Sequence, residues 1–299
     1  MEGVIEITDK KYSKALKEAL KNLVASSGPK KLYYKGAWDE SIFENCLAVV
    51  GSRHLTSYGR RATEQIVTQV AAAGITIVSG FMYGGDEAAH SATVKCGGRT
   101  IAVMPCGIDR IHPENQKKLY QEILDNKGLI ISEYEGDMQP QTFTYLQRDR
   151  IVAGLSKAVF VTEAALNSGS LITASYAKKY GRKIFALPGQ ITSEVSKGTI
   201  KIIREGAEAV SEANDILSFY KVLVNPAKAK GCPTSRGMSD IPATSSLEQK
   251  IIDQLRRESM KADEMARMFA VPVAQLGTTL TIMQLKGQIN SDSGKYYVN

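Results

Sequence analysis

The chain has 299 residues, 43% of them hydrophobic and 23% charged, which is enough for one large domain and a smaller one, each with its own core. Lys and Arg number 38 against 31 Asp and Glu, and this net charge of +7 fits an anionic partner or simple solubility equally well. No apolar run reaches the roughly 18 residues of a membrane span and the charged N-terminus does not resemble a signal peptide, so we expect a cytoplasmic protein without a membrane partner.

Residues 1–44 precede the first domain. Their opening, MEGVIEITDKKYSKALKEAL, mixes charged and apolar positions in a way that predicts an amphipathic helix.

From residue 47 to about residue 217 the sequence alternates short β-branched runs with helical periods. Each run is apolar on both faces, as in parallel strands that helices cover on both sides. The helical patterns between them include residues 59–73 and 84–95. This order predicts an α/β domain over residues 45–220, with a Rossmann-like, doubly wound, mostly parallel sheet. The predicted strands are 47–50, 75–80, 100–105, 129–134, 158–164 and 183–189.

Small and polar residues follow these strands, at the edge where doubly wound sheets bind ligands. Gly51-Ser52-Arg53 offers backbone N–H groups, a hydroxyl and a guanidinium to a phosphate, although a plain turn with an exposed arginine is the alternative. Ser168 and Gly169 open a predicted helix, which suits either a phosphate or an ordinary N-cap. The fingerprints G-x-G-x-x-G and G-x-x-x-x-G-K-[ST] are absent there, which disfavours NAD and P-loop ATP sites.

The segment YLQRDRIVAGLS places Arg148 and Arg150 on either side of Asp149, next to a predicted helix. Arginines so close to a buried element need anionic partners. The partner is either a phosphate or a carboxylate such as Glu133 or Glu163, and the pattern leaves both interpretations open.

Residues 221–245 interrupt the regular pattern, and their prolines, glycines and small polar residues predict a flexible linker. The helical patterns LEQKIIDQLRRES, KADEMARMFA and VAQLGTTLTIMQLKG follow, and the final QINSDSGKYYVN predicts a hairpin that turns at residues 292–294. Three helices and a hairpin predict a small winged-helix domain over residues 246–299.

Cysteine and histidine show no metal-ligand spacing. The four cysteines are widely separated without a Cys-x-x-Cys pair, and the three histidines are scattered. We therefore expect reduced thiols and no metal site, rather than disulfides or bound zinc.

Ten segments stand in a characteristic order: VVGSR, SYG, VSGFMYGGDEAAH, GGRTIAVMPCGID with a following HP, LIISEY, RDRIVAGLS, VTEA, SGSLITA, ALPG and IREGA. Together they resemble the DNA-processing protein A family (DprA, also called Smf). The resemblance runs from about residue 32 to residue 217, and a trailing winged helix is a common addition in that family. The family's frequent N-terminal helical domain is not expected, because the match starts so early in the chain.

The resemblance implies a protein that binds single-stranded DNA at the switch point of its sheet and forms a homodimer through that domain. It also implies protection of incoming DNA in natural transformation and loading of the RecA recombinase, without catalytic residues or a cofactor. Tyr58, Phe81, Tyr83 and Tyr134 are candidates for base stacking, with packing inside the fold as the alternative. Matched motif by motif, the implied DNA-binding residues are Gly51, Ser52, Arg53, Ser79, Gly80, Gly84, Asp86, Lys95, Arg148, Arg150, Ser168 and Gly169.

Three positions depart from the family's usual motifs. Gly85 stands where the family usually has Ile, Asp149 stands where it has Asn, and Gly198-Thr199-Ile200 replaces Gly-x-Asn. A carboxylate at position 149 would repel phosphate, so we expect either a lower affinity for DNA or an altered pocket.

Two other functions compete with DNA binding by the first domain. Phosphoribohydrolases of nucleoside monophosphates share this fold but carry Pro-Gly-Gly-x-Gly-Thr followed by Glu. This chain has NSGSLITA at that position, so hydrolysis is disfavoured. Glu163 and Asp86 are the remaining candidates for an acid–base pair. A sequence-specific regulator would read duplex DNA with its winged helix. The third helix there is apolar and rich in threonine rather than basic, which favours a protein partner instead.

Overall fold

The computed structural model describes residues 2–6, 16, 20, 29–222, 246–255, 258–285, 287–292 and 294–298. The chain divides into two compact units, Met1–Arg236 and Gly237–Asn299. Almost all of the predicted linker, residues 221–245, lies outside the described residues, as does Cys232.

The first unit is built on a sheet that has nine strands among the described residues, in the order β1-β2-β6-β5-β4-β3-β7-β8-β9. The strands from β3 to β9 are parallel to one another, whereas β1 and β2 are antiparallel additions at the edge next to β6. The strands are β1 (Glu2–Glu6), β2 (Lys31–Gly36), β3 (Cys46–Val50), β4 (Thr76–Ser79), β5 (Thr100–Val103), β6 (Leu129–Ser132), β7 (Ala158–Val161), β8 (Lys183–Ala186) and β9 (Glu208–Ala209).

Helices cover both faces of this sheet, so the predicted doubly wound architecture is confirmed. Along β3, Ala48 and Val50 pack into the core shared with α4 and α5, while Leu47 and Val49 pack into the core shared with α1 and α7. Because successive side chains of a strand point to opposite faces, a strand buried on both sides must be apolar throughout. The helices are α1 (Ser57–Ala72), α2 (Gly85–Lys95), α3 (Lys117–Asp125), α4 (Thr142–Leu155), α5 (Gly169–Lys179), α6 (Lys197–Arg204) and α7 (Ala213–Tyr220).

The N-terminal segment corrects the sequence analysis. Residues 2–6 are not helical but form β1, which pairs antiparallel with β2, a strand to which the pattern assigned no element. The β-branched Val4 and Ile5 favour this extended pairing. Leu16 and Leu20, one helical turn apart, are helical and fully buried, so the predicted helix is confirmed at these two described positions.

The second unit is a winged helix, as predicted. It contains α8 (Ser246–Leu255), α9 (Ala262–Phe269) and α10 (Val273–Leu285), with a small sheet in the order β10 (Met260–Lys261), β12 (Lys295–Tyr297), β11 (Asn290–Asp292). Its core is apolar and includes Ile251, Met265, Leu276 and Leu280. The β11–β12 hairpin turns through Gly294, whose φ of 78° lies in the left-handed region that glycine adopts without strain.

The described residues contain neither a single membrane-spanning helix nor a group of metal ligands. Within the described ranges no single helix is both long and apolar enough to cross a membrane, and α9 with α10 meets that criterion only as a pair bent by 117°. Cys46, Cys96 and Cys106 are free thiols, and no three His, Cys, Asp or Glu side chains of the described part are grouped to hold a metal ion.

Candidate nucleic-acid interface

A cleft of about 590 Å³ opens where β3 and β7 end. β4 lies on one side of β3 and β7 on the other, so the cleft occupies the topological switch point at which doubly wound sheets bind ligands. Its walls come from the loop after β3, the start of α2, one face of α4 and the start of α5. The sequence-predicted site residues that line it are Gly51, Ser52, Arg53, Gly80, Asp86, Arg148, Ser168 and Gly169.

Close backbone contacts fix the loop after β3. The Ser52 N–H donates to the Glu163 carbonyl at 2.6 Å, and the Gly85 N–H donates to the Ser52 carbonyl at 3.0 Å. A Cβ on Gly51 would lie 2.2 Å from the Thr162 hydroxyl, and one on Gly85 would lie 2.6 Å from the Gly51 Cα. Glycine at both positions therefore lets β3, the end of β7 and the start of α2 meet closely enough to hold this loop.

Arg53 is exposed in the wall of the cleft. Its guanidinium carbon lies 5.4 Å from the ring centroid of Tyr145, within cation–π distance. Because the N–H donors of a guanidinium lie in its plane, stacking on a ring leaves them available for a phosphate. Tyr145 also lines the cleft, although it was not among the predicted site residues. Its position three residues before Arg148 places both on the same helix face, and this spacing could have predicted its location.

The start of α5 is the second feature suited to an anion. Ser168 is the N-cap, its hydroxyl accepting from the Ser170 N–H at 3.4 Å and lying 2.7 Å from the Ser170 hydroxyl. Gly169 is exposed, and a Cβ there would meet no atom within 4 Å. The first residue of α5 and the positive end of the helix dipole therefore face open space in the cleft.

Arg148 is buried under the cleft, with 5% of its side chain exposed. Its Nη1 donates to the Val103 carbonyl at 3.0 Å, and its Nε lies 3.1 Å from Asp149 Oδ1. A Cβ on Gly80 would lie 1.6 Å from Nη1, so the guanidinium occupies the space that a side chain there would need. Arg148 therefore contributes fixed positive charge beneath the cleft.

Two carboxylates, those of Asp86 and Asp149, line the cleft beside the arginines. Burial raises the pKa of Asp149 from 3.8 to about 6; Arg148 and Arg53 oppose this shift and Asp86 adds to it. Burial also raises the pKa of Asp86, opposed chiefly by Arg148, and its Oδ2 accepts the Met82 N–H at 3.2 Å. With two arginines against two aspartates, this cluster gains positive charge when Asp149 takes up a proton.

Arg150 and Lys95, two of the DNA-binding residues that the resemblance implies, do not line the cleft. Arg150 donates from Nη2 to both oxygens of Glu133, at 2.6 and 2.7 Å, which is the structural ion pair that the sequence analysis held as an alternative. Lys95 is exposed at the last residue of α2, and the cleft lies at the first turn of that helix. This helix of 11 residues is roughly 16 Å long at 1.5 Å per residue, so Lys95 lies away from the cleft, and its place on a DNA track stays a prediction.

Ser79 and Gly84 lie outside the cleft lining, against the end of β3 and the loop that follows it. The Ser79 hydroxyl is buried and donates to the Val49 carbonyl at 2.6 Å. Gly84 has a φ of 72°, and a Cβ there would lie 2.2 Å from the Ser52 carbonyl oxygen. These two residues therefore determine the shape of the loop after β3 without contacting the space inside the cleft.

The aromatic candidates for stacking separate into two groups. Phe81 is fully buried and packs edge-on against Tyr120, with ring centroids 6.0 Å apart, so base stacking on Phe81 is corrected to core packing. Tyr58 and Tyr83 are 43% and 40% exposed, and Tyr134 is half-buried with its hydroxyl bonded to a glutamine side chain.

Glu163, one of the two acid–base candidates, binds Thr56, the N-cap residue of α1. Its Oε2 accepts the Thr56 N–H at 2.8 Å, and its Oε1 accepts the Thr56 hydroxyl at 2.6 Å. A Cβ on Gly59 would lie 2.4 Å from its carboxylate carbon, which shows how tightly α1 packs on it. The carboxylate is committed to the start of α1 and lies outside the lining of the cleft.

The fold and the cleft define an α/β protein with a doubly wound sheet, an anion-compatible cleft at its switch point and a winged helix. The chain belongs to the DNA recombination-mediator protein A family, whose family model matches residues 3–221. A second model, the DprA winged helix domain, matches residues 238–295.

Relatives and solved structures agree with this assignment. Protein Smf of Escherichia coli is 35% identical over 252 residues, covering 84% of this chain and 67% of that protein. DNA processing protein DprA of Streptococcus pneumoniae is 41% identical over 193 residues, covering 64% and 67%. The X-ray structure of the Streptococcus pneumoniae protein superposes with a TM-score of 0.66 at 36% identity, over 73% of this chain and 74% of that one. A structure of Helicobacter pylori DNA processing protein A, described for its single-stranded DNA binding mode, gives 0.64 at 32% identity, over 74% and 96%.

Proposed function

We propose that this protein binds single-stranded DNA in the cleft at the ends of β3 and β7. The observation that carries the proposal is the convergence of the exposed Arg53 and the open start of α5 on one cleft, in a chain of this family. A flexible strand can bring successive phosphates to such donors, whereas a rigid duplex cannot follow the walls of a cleft. The description of the Helicobacter pylori relative supports the same substrate.

The proposal extends to a recombination role in the cytoplasm. The protein protects incoming single strands, helps to load the RecA recombinase in natural transformation, and acts as a homodimer through its first unit. The family's description as recombination mediators supports this role.

The proposed substrate is tested by fluorescence anisotropy with labelled single-stranded and duplex oligonucleotides between 50 and 200 mM salt. We expect at least about tenfold tighter binding of the single strand, and a log–log salt slope of roughly −0.7 for each phosphate contacted. A parallel assay of nucleoside-monophosphate hydrolysis should show no turnover. Equal affinity for both DNA forms would contradict the proposal.

We expect the affinity for a single-stranded thymidine oligonucleotide to rise as the pH falls from 7.5 to 5.5. Asp149 faces Arg148 on its own helix, Asp86 on α2 and Arg53 on the loop after β3, and its pKa is about 6. Protonation removes one negative charge from the cleft, so the affinity should gain at most about tenfold per pH unit, the limit for uptake of one proton. Anisotropy at constant ionic strength measures the change.

The variant Asp149→Asn provides the check on this pH dependence. It should bind more tightly than the parent at pH 7.5 and lose most of the dependence on pH. An unchanged pH profile in this variant would assign the titration to another group.

A further inference from the structure

The cleft has two chemically different walls. On the β7 side the start of α5 presents backbone N–H groups and the hydroxyls of Ser168 and Ser170. On the β4 side lie both carboxylates of the cleft lining, Asp86 and Asp149, with Arg148 beside them. The start of α5 and the exposed Arg53 on the loop after β3 attract a phosphate, whereas the carboxylates repel one, so the part of a nucleotide suited to Asp149 is its base.

Asp149 is fixed in place and accessible from the cleft. Its Oδ1 lies 3.1 Å from Nε of Arg148, and Arg148 is itself anchored by the Val103 carbonyl. The side chain is 14% exposed and lines the cleft. An ionised carboxylate offers about four acceptor sites and no donor, so one partner at Oδ1 leaves capacity to accept from a ligand.

Base edges differ in what they present to such an acceptor. Cytosine, adenine and guanine each carry an exocyclic amino group, and acceptance of the cytosine amino group by a carboxylate is a known reading contact. Thymine carries carbonyl oxygens instead, with a single N–H between them. A carboxylate that faces a carbonyl oxygen places two acceptors together, which costs binding energy because neither group can donate.

We propose that Asp149 makes the cleft selective for bases with an exocyclic amino group and against thymine. This inference rests on the proposed single-strand binding and adds a base preference to it. The volume of about 590 Å³ lies within the range of pockets that enclose small ligands, so one nucleotide fits between the two walls.

The test compares three oligonucleotides of equal length, made of deoxycytidine, 5-methyldeoxycytidine or thymidine, by anisotropy at pH 7.5 with the full chain. The last two share the 5-methyl group, and at position 4 one has an amino group where the other has a carbonyl oxygen. We expect both cytidine oligonucleotides to bind about tenfold tighter than thymidine, the effect of one hydrogen bond to a charged acceptor.

Two variants locate the preference. In Asp149→Asn the amide both donates and accepts, so the thymidine oligonucleotide should bind as tightly as the cytidine ones. Asp125→Asn makes the same charge change on an exposed residue at the end of α3, outside the cleft, and should keep the parent's preference.

The outcomes separate this inference from the proposed function. Equal affinity of the parent for all three oligonucleotides overturns the base selectivity and leaves single-strand binding intact. A preference that persists in Asp149→Asn overturns the role of Asp149. Failure of the parent to bind any of them overturns the proposed function itself.

Discussion

Replacing Arg53 with glutamate is expected to weaken single-stranded DNA binding by about 2–4 kcal/mol, because a charge-assisted contact is lost and a repulsive charge is added. Arg53 is exposed and stacks on Tyr145, and Asp86 and Asp149 line the same cleft. A third carboxylate there would repel the phosphates further. Anisotropy measures the affinity, and denaturant unfolding should show a stability change of about 1 kcal/mol or less, as for an exposed charge.

The matched control for this variant is Lys95→Glu. It makes the same charge change on an exposed residue at the far end of α2. We expect it to bind as the parent does, whereas a DNA track that extended to Lys95 would make both variants weak. Arg53→Ala should also make the log–log salt slope shallower by about 0.7, the value for one single-strand phosphate contact. An unchanged affinity and an unchanged salt slope would show that Arg53 is a structural turn residue that does not contact DNA.

Replacing Arg148 with alanine is expected to lower the free energy of unfolding by about 3–5 kcal/mol at pH 7.5, because removal of one partner leaves buried carboxylates uncompensated. Arg148 lies 3.1 Å from Asp149 and is the largest opposing influence on the raised pKa of Asp86. Its loss also empties the space against Gly80 and leaves the Val103 carbonyl without this donor. Urea unfolding monitored by circular dichroism measures the loss.

The pH dependence of this loss of stability distinguishes uncompensated carboxylates from lost packing as its cause. A carboxyl whose pKa is raised by folding destabilises the folded state increasingly as the pH rises from the unfolded value towards the folded one. The folded pKa of Asp149 is already about 6, and Arg148 lowers it, so removal of Arg148 raises it further. The difference between variant and parent should therefore shrink at pH 5. A loss that is equal at both pH values would mean that packing alone causes it.

A triple variant that replaces Arg148 and both aspartates with uncharged residues is the control for the Arg148→Ala variant. The triple replacement Arg148→Met, Asp86→Asn and Asp149→Asn should recover most of the stability at pH 7.5, because buried ionic clusters are often replaced by neutral side chains at little cost. Failure of this set to recover stability would show that the guanidinium acts mainly through its contacts with Gly80 and Val103.

Local pattern was sufficient for most of the first unit. The doubly apolar runs that became β3 to β8 begin and end within three residues of their predicted bounds, because burial on both faces leaves a distinct composition. The same pattern placed the loop after β3 and the start of α5 at one edge of the sheet, since parallel strands end on the same side. It failed at residues 2–6, which form an extended strand paired with β2 instead of the predicted helix.

The sequence by itself determined the α/β architecture, the winged helix and the edge of the sheet where small and cationic residues collect. Only the tertiary structure decided which of those residues meet. Arg148 and Arg150 are two positions apart, yet one is buried against Gly80 and Val103 while the other is paired with Glu133. Lys95 belongs to the same helix as Asp86 but lies at its opposite end. The physical reason is that periodicity reports how deeply a position is buried, whereas the partner of a buried charge comes from a distant segment that only chain packing brings near.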